Sequence, residues 1–188
     1  MRLRPADRSF SVETVPELID PTVRLTASFT EALHEFIAEG GGTGDSGTDS
    51  IIRNYLRPGD EWAAEYVADV LAWRTTAPPG FVPFTTLWWV DGDTYLGRLA
   101  IRHVLNAHLL DVGGHIGYDV RPSARRRGHA TAMLAAGLPV AAALGIEKAL
   151  LTCDADNTAS RKVIEHNGGV LEDRRGDKLR FWVPTAAD

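Results

Sequence analysis

A short arginine-rich turn, followed by a helix of small residues, is the part of the chain best suited to chemistry. Arg125, Arg126 and Arg127 precede Gly128, and Ala130 stands near the start of an alanine-rich run. The first amides of a helix have no partner within the helix and carry the positive end of its dipole. Because glycine lets an anion approach the backbone closely, this pattern predicts a turn that holds a pyrophosphate.

Local patterns predict the elements on either side of this turn. A strand over His115–Val120 leads into it, and an alanine-rich helix follows to about residue 144. The apolar run Ala149–Asp154 predicts the next strand. Asn157 is a suitable N-cap for a short helix over residues 158–166, which two glycines end.

Hairpins are predicted before this unit and after it. Phe84–Val90 and Thr94–His103 flank an Asp-Gly pair, which is a strong hairpin signal. Val170–Asp173 and Lys178–Val183 are predicted to form a final hairpin. Helices, then antiparallel hairpins, then a strand–helix–strand unit predict an α+β (mixed α/β) fold with a mixed sheet.

The first third of the chain is predicted to be mostly helical. Apolar residues at helical spacing predict a helix within Val12–Ala38 and a second over Asp60–Arg74, whose stripe with Trp62 and Tyr66 is expected in the core. The glycine-rich stretch between them, residues 39–49, predicts a mobile loop. A phosphate loop is disfavoured there, because no strand precedes the stretch and no Gly-Lys-Ser/Thr follows it.

Composition favours one soluble domain over residues 1–188. The chain has 20 Lys and Arg against 25 Asp and Glu, a net charge of −5, which is a poor match for a nucleic-acid partner. No apolar segment is long enough for a leader or a membrane span, so a cytoplasmic protein without a membrane partner is expected. Cys153 is the only cysteine and fits a reducing compartment. A small core residue is favoured there over a covalent acyl-cysteine role.

The turn resembles the acetyl-coenzyme A binding motif of the GNAT N-acetyltransferase superfamily, Gln/Arg-x-x-Gly-x-Gly/Ala. Arg125, Gly128 and Ala130 occupy its positions here. The similarity continues at Asn157 and Ser160, where family members commonly have an asparagine and a small residue. It continues again at the Asn-Gly pair that precedes the closing strands.

The resemblance covers about Thr85 to Val183. Within it, the chain is similar to an uncharacterised bacterial branch of the superfamily. It implies a twisted mixed sheet with a splayed central pair of parallel strands, flanked by helices. The chain then divides into a variable helical part, about 1–80, and a sheet and cofactor-binding part, 81–188. Acceptor pockets in this superfamily are built from variable helices and loops, which here means the first part.

The resemblance also implies a cofactor site in the gap between the splayed strands. The backbone of Tyr118 and Val120 would contact the pantetheine arm, Asn157 its end, and the amides from Arg126 to Thr131 the pyrophosphate. The residues expected to bind acetyl-coenzyme A are Tyr118, Val120, Arg125, Arg126, Arg127, Gly128, His129, Ala130, Thr131 and Asn157. No metal is expected.

Family chemistry is direct attack of a free amine on the thioester, which a general base assists. Several members place a glutamate on the strand before the turn, where this chain has His115, and histidine titrates in a suitable range. A structural, hydrogen-bonded role for His115 is an open alternative, and His103 on the adjoining strand is a second candidate base. The other histidines outside the turn are expected at the surface: His34, His108 and His166.

The family's usual general acid is missing, because Ile164 occupies the position where many members have a tyrosine. Water, or Tyr118 if its side chain faces the cleft, would then protonate the departing thiolate.

The sequence thus predicts an N-acetyltransferase acting on a primary amine of a small molecule or peptide, with a homodimer as an option. A catalytically weak acyl-coenzyme A sensor is the alternative, and a nucleic-acid interaction through the arginines is the weakest interpretation. The acidic loop with Asp45 and Asp49 would attract a cationic acceptor, although a solvated loop is favoured.

Overall fold

A computed structural model describes residues 15–44 and 46–186. The helices are α1 (Thr26–Ala38), α2 (Gly47–Asn54), α3 (Glu61–Ala72), α4 (His129–Ala143) and α5 (Thr158–His166). The strands are β1 (Glu17–Ile19), β2 (Phe84–Asp91), β3 (Thr94–Arg102), β4 (Ile116–Val120), β5 (Lys148–Asp154), β6 (Val170–Arg175) and β7 (Lys178–Pro184). The predicted mixed α/β fold with flanking helices is confirmed.

The strands form two antiparallel sheets, ordered β1-β2-β3-β4 and β5-β7-β6. The sheets meet where the His115 N–H donates to the Leu150 carbonyl at 2.6 Å. Gly114, with φ +64°, permits this close approach, since a Cβ there would lie 2.4 Å from the Leu150 oxygen. Within the described residues every ladder is antiparallel, and β4 has a ladder only with β3. The predicted central pair, β4 and β5, is therefore joined only at its start.

Two clusters of buried side chains cover the two faces of the first sheet. One contains Leu99, Met133 and Phe181 and packs β3 against α4 and the second sheet. The other is aromatic and packs α1 and α3 against the β2–β3 hairpin, with the Phe29 ring centroid 4.5 Å from that of Trp88. The predicted core role of the α3 stripe is confirmed, because Trp62, Tyr66 and Val70 are buried.

Two predictions for the N-terminal part are wrong. Residues 17–19 form β1, which pairs antiparallel with β2, rather than part of a helix, and α1 begins only at Thr26. The predicted loop over 39–49 ends earlier than expected, because residues 47–49 belong to α2, where Ser46 and Asp49 form a capping box and Asp49 also accepts a hydrogen bond from the Gly42 N–H at 2.5 Å. Val12 and Asp45, which belonged to these two predictions, lie outside the described residues.

Helices long and apolar enough to cross a membrane are absent from residues 15–44 and 46–186.

Candidate cofactor-binding and active site

The edge of β4 that faces β5 presents backbone groups at the two residues expected to contact pantetheine. Val120 lies opposite Gly97, and the next residue, Arg121, donates its N–H to the carbonyl of Leu96 at 2.9 Å. In an antiparallel ladder this bond marks Val120–Gly97 as a pair without mutual hydrogen bonds. Such pairs alternate with hydrogen-bonded pairs, so Tyr118, two residues earlier, is in a pair of the same kind. The N–H and C=O groups of Val120 and Tyr118 therefore point away from β3 and toward the gap beside β5.

Backbone conformation prepares the turn after β4 for an anion. Arg126 has φ 62° and Gly128 has φ 82°, both in the left-handed region. Gly128 is the N-cap of α4 and has no side chain to hydrogen-bond the amides of the first turn, which includes Ala130 and Thr131. A Cβ at Gly128 would have no atom within 4 Å, so the backbone there is open to a ligand. These features fit a pyrophosphate bound at the start of α4.

The three arginines of the turn differ in what they contact. The Arg125 guanidinium donates to the Val120 carbonyl at 3.1 Å and to Glu39 at 2.7 Å, and it lies over the Phe36 ring. Its side chain therefore holds the turn against α1. Arg126 and Arg127 are exposed at the mouth of the turn. His129 turns its ring inward, where Nδ1 accepts a 3.3 Å hydrogen bond from the indole of Trp89.

A carboxylate on α1 fixes the first half of the same turn. Glu35 accepts hydrogen bonds from the Ser123 N–H and hydroxyl, both at 2.9 Å, and forms an ion pair with the buried Arg121. Burial raises the pKa of Glu35, but the hydrogen bonds from Arg121 and Ser123 outweigh that effect, so the pKa is lowered. Glu35 is thus ionised at neutral pH and positions the turn. Sequence patterns gave no signal of this contact, because it joins residues 88 positions apart.

A cleft of about 720 Å³ opens beside the turn, between α4 and α5. Its lining residues are Gly128, Thr131, Ala132, Ala135, Lys162, Val163, His166 and Asn167. Lys162 and His166 stand four residues apart and bring basic side chains to an anion-binding turn. His166 is exposed, as expected, and also lines this cleft, whereas the sequence motifs did not indicate Lys162. The signal that points to both is the spacing of basic residues on one face of α5.

Tyr118 spans the gap between β4 and α5. Its hydroxyl lies 2.9 Å from the Ser160 hydroxyl, and burial raises its pKa to about 12. Asn157 caps the same helix, since its side-chain oxygen accepts from the Ser160 N–H at 3.0 Å. One helical turn beyond Ser160, Ile164 is fully buried in the core. Tyr118 therefore brings a phenol to the face of α5 on which the family's usual tyrosine would stand.

His115 joins the two sheets through its ring as well as its backbone. Nδ1 accepts a 2.9 Å hydrogen bond from the Leu150 N–H, which places the proton of the neutral ring on Nε2. Burial and the nearby Arg102 guanidinium lower the pKa of His115. The lone pair on Nδ1, which a general base would use to accept a proton, is thus engaged by the Leu150 N–H on β5. This contact matches the structural alternative for His115.

His103 is held elsewhere. Its Nε2 lies 2.9 Å from the Thr85 hydroxyl on β2, and burial followed by the charge of Arg74 lowers its pKa. The two candidate bases therefore contact different strands rather than each other.

We expect His115→Ala to destabilise the fold and His115→Gln to retain it. Alanine leaves the buried Leu150 N–H without its acceptor, at a cost of roughly 1–3 kcal/mol. At this chain length the melting temperature falls by roughly 2–4 °C per kcal/mol. Glutamine offers a carbonyl oxygen to the same N–H, so its melting temperature and turnover stay close to those of the wild type.

The pH dependence of stability checks the same contact. Since the folded state lowers the pKa of His115, the unfolded chain binds a proton first as the pH falls below the ordinary value of 6.5. His115 therefore contributes fully above pH 6.5, and its contribution is lost below it. As the pH falls below 6.5, the melting temperature of the wild type should therefore fall more than that of His115→Gln. A loss of 100-fold or more in the turnover of a stable His115→Gln would instead identify His115 as the general base.

Comparison with known proteins adds a family and a fold. The profile described as "Acetyltransferase (GNAT) domain" matches residues 29–170. No curated protein matches the chain.

Solved structures match over nearly the full length. The ribosomal L7/L12 alpha-N-protein acetyltransferase RimL in complex with coenzyme A is 16% identical, with a TM-score of 0.64 over 94% of this chain and 98% of its own. RimJ of Mycobacterium smegmatis with CoA-disulfide is 20% identical, with a TM-score of 0.63 over 90% and 81%. The microcin C7 self-immunity acetyltransferase MccE, bound to acetyl-CoA and AMP, is 10% identical, with a TM-score of 0.64 over 90% and 92%. At these identities the likeness shows a shared fold.

Proposed function

The chain belongs to the GNAT acetyltransferase family, and from that premise we propose that it transfers the acetyl group of acetyl-coenzyme A to a primary amine of a small molecule or peptide. Members of the family are acyltransferases with acetyl-coenzyme A as co-substrate, and this chain is one of them. The observation that carries the proposal is the turn between β4 and α4. It combines positive φ at Arg126 and Gly128 with an uncapped helix start.

The cofactor is proposed to lie along the gap beside β4. The outward backbone groups of Tyr118 and the N–H of Val120 bind the pantetheine arm as an added strand would, while the Val120 carbonyl accepts from Arg125. The amides from Arg126 to Thr131 bind the pyrophosphate. Lys162 and His166 line the cleft next to that turn and bind the phosphate on the ribose. Coenzyme A or acetyl-coenzyme A is present in the solved structures of RimL and MccE.

Direct attack by the amine needs two proton transfers. The amine nitrogen forms a bond to the thioester carbonyl carbon, and the carbon–sulfur bond breaks. We assign the proton that the sulfur gains to the Tyr118 hydroxyl, which burial keeps protonated at neutral pH. The proton that the amine loses passes to solvent, because the Nδ1 of His115 is occupied by Leu150.

A binding protein for acyl-coenzyme A is the second candidate. The observation that favours it is Ile164, a fully buried side chain where many relatives have their general acid. Both candidates need the cofactor site, and they differ in turnover.

Coenzyme A should raise the melting temperature, because a ligand that binds only the folded state stabilises it. Acetyl-coenzyme A with a panel of amines should release free thiol at a steady rate that depends on the amine. Thermal stabilisation without thiol release from any amine would favour the sensor. Absence of stabilisation at saturating coenzyme A would contradict both candidates.

Two further proposals concern organisation. Residues 1–188 form a single domain in which the first 80 residues shape the acceptor pocket, and the protein forms a homodimer. Light scattering coupled to size-exclusion chromatography measures the second directly.

A further inference from the structure

Arg102 ends β3 and extends its side chain across β4. Its NH1 group donates to the carbonyls of Gly113 and Gly114 at 3.0 and 3.1 Å. The guanidinium lies 3.7 Å from where a Cβ on Gly117 would stand. Gly117 precedes Tyr118, whose outward backbone is proposed to bind pantetheine. Arg102 is therefore beside the strand that would carry the acyl group.

The charge of Arg102 is unbalanced. Three other arginines with little exposure each face a carboxylate. These pairs are Arg98–Asp119, Arg121–Glu35 and Arg180–Asp173. Within residues 15–44 and 46–186, no carboxylate lies within 4.0 Å of the Arg102 guanidinium, whose described hydrogen bonds all go to carbonyls. A charge taken out of water is costly unless it is paired.

Apart from the two carbonyls, the described groups that act on Arg102 add no negative charge. Burial and the positive charge of Arg98 both lower the pKa of Arg102. His115 is neutral at pH 7, since its own pKa is lowered, and its ring lies 6.3 Å from that of Trp182. Arg102 is thus a partly buried cation beside Gly117 that has no ion-pair partner among the described residues.

Two donor groups of Arg102 remain available. A guanidinium has five N–H donors, and the two on NH1 serve the Gly113 and Gly114 carbonyls. The edge formed by Nε and NH2 takes part in no described hydrogen bond. That edge has the geometry for two parallel hydrogen bonds to a carboxylate.

We infer that Arg102 binds a carboxylate of the acceptor, so that the amine substrate is an amino acid or a peptide with an acidic group close to the reacting nitrogen. The inference rests on the proposed acetyltransferase function and names the substrate class of that same site. Another role for the same cation, stabilisation of the thioester carbonyl during attack, predicts an equal effect on every acceptor. Selectivity between acceptors separates the two roles.

Matched acceptors test the inference: amino acids against their amides, and dipeptides with aspartate against asparagine at the second position. We expect the wild type to favour the carboxylate member in kcat/KM. Arg102→Gln should reduce that preference by roughly 10- to 100-fold, mainly through KM. Comparing the wild type with the variant cancels the difference in amine pKa within each pair. Arg102→Lys should keep part of the preference. Arg174→Gln, a change at an exposed arginine of the β6–β7 hairpin, should keep all of it.

Binding provides a readout that needs no turnover. With coenzyme A present, calorimetry compares N-acetylated amino acids with their amides for the wild type and Arg102→Gln. An unchanged preference in the variant, or an equal loss for both members, overturns the inference and leaves the acetyltransferase proposal standing. Failure of every amine to release thiol, with coenzyme A still bound, contradicts the proposed function. The calorimetric comparison then decides the carboxylate site separately.

Loss of folding is monitored in the same samples. Coenzyme A affinity and melting temperature identify a variant damaged by loss of the Gly113 and Gly114 contacts. If Arg102→Gln is damaged, Arg102→Lys, which keeps a donor for those carbonyls, is compared with the wild type in its place. A wild type that prefers neutral or basic acceptors would overturn the inference without any variant.

Discussion

Gly128→Glu should weaken coenzyme A binding by at least about 100-fold while the protein stays folded. The new carboxylate would stand at the start of α4, where the amides are proposed to bind pyrophosphate. Like charges in direct contact cost several kcal/mol, and each 1.4 kcal/mol is a factor of ten in affinity. The φ of 82° at this position adds backbone strain for any side chain. Calorimetric titration with coenzyme A measures the loss.

Gly145→Glu is a matched control just beyond the C-terminal end of α4. Gly145 follows the C-terminal end of α4, has φ 83°, and has no atom within 4 Å of a Cβ position. The substitution introduces the same strain and the same charge far from the turn, so coenzyme A affinity should be unchanged. Gly128→Ala separates strain from charge and should cost much less affinity than glutamate. If Gly128→Glu binds coenzyme A like the wild type, the pyrophosphate does not lie at this turn.

Tyr118→Phe should lower kcat by roughly 100-fold, within the 10²–10⁴ range of a positioned general acid or base. Phenylalanine keeps the ring in the gap between β4 and α5 and removes only the hydroxyl that lies beside Ser160. Since the backbone of Tyr118 is unaltered, the affinity for coenzyme A should stay the same. Steady-state kinetics with acetyl-coenzyme A as the varied substrate separates the two effects.

Two measurements sharpen this test. The pKa of Tyr118 is about 12, so the acid stays protonated and kcat should show no falling limb up to about pH 10. Tyr95→Phe removes another buried phenol, whose ring packs against Phe29 and Trp88 in the aromatic cluster, and should leave kcat unaltered. If Tyr118→Phe keeps wild-type kcat, the thiolate leaves without help from this residue.

Elements with strong local signals were predictable from the sequence. The Asp-Gly pair located the β2–β3 hairpin, and Asn157 with two following glycines gave the bounds of α5, because caps and turns act within a few residues. β1 was missed because three residues become a strand only by pairing with β2, about 70 positions away. That pairing has no local signature, and the apolar spacing favoured a helix.

The site divides in the same way. The pyrophosphate turn follows from adjacent residues, so its position could be read from the chain. The partners of His115 and Glu35 could not, because Leu150 and Ser123 are distant in sequence. A candidate base is recognised by its type and strand, but its proton chemistry depends on which distant group reaches its ring.

Glu35 couples two properties of the protein, acceptor range and cofactor binding, that would otherwise evolve separately. It belongs to the helical region proposed to shape the acceptor pocket, yet its carboxylate supports Ser123 and Arg121 in the cofactor turn. Recombination that exchanged the first 80 residues for those of another family member would import a new pocket together with new support for that turn. Only helices that present a carboxylate at the position of Glu35 would preserve the cofactor turn. Substrate range can therefore drift by mutation around Glu35 more readily than by wholesale exchange of the segment that contains it.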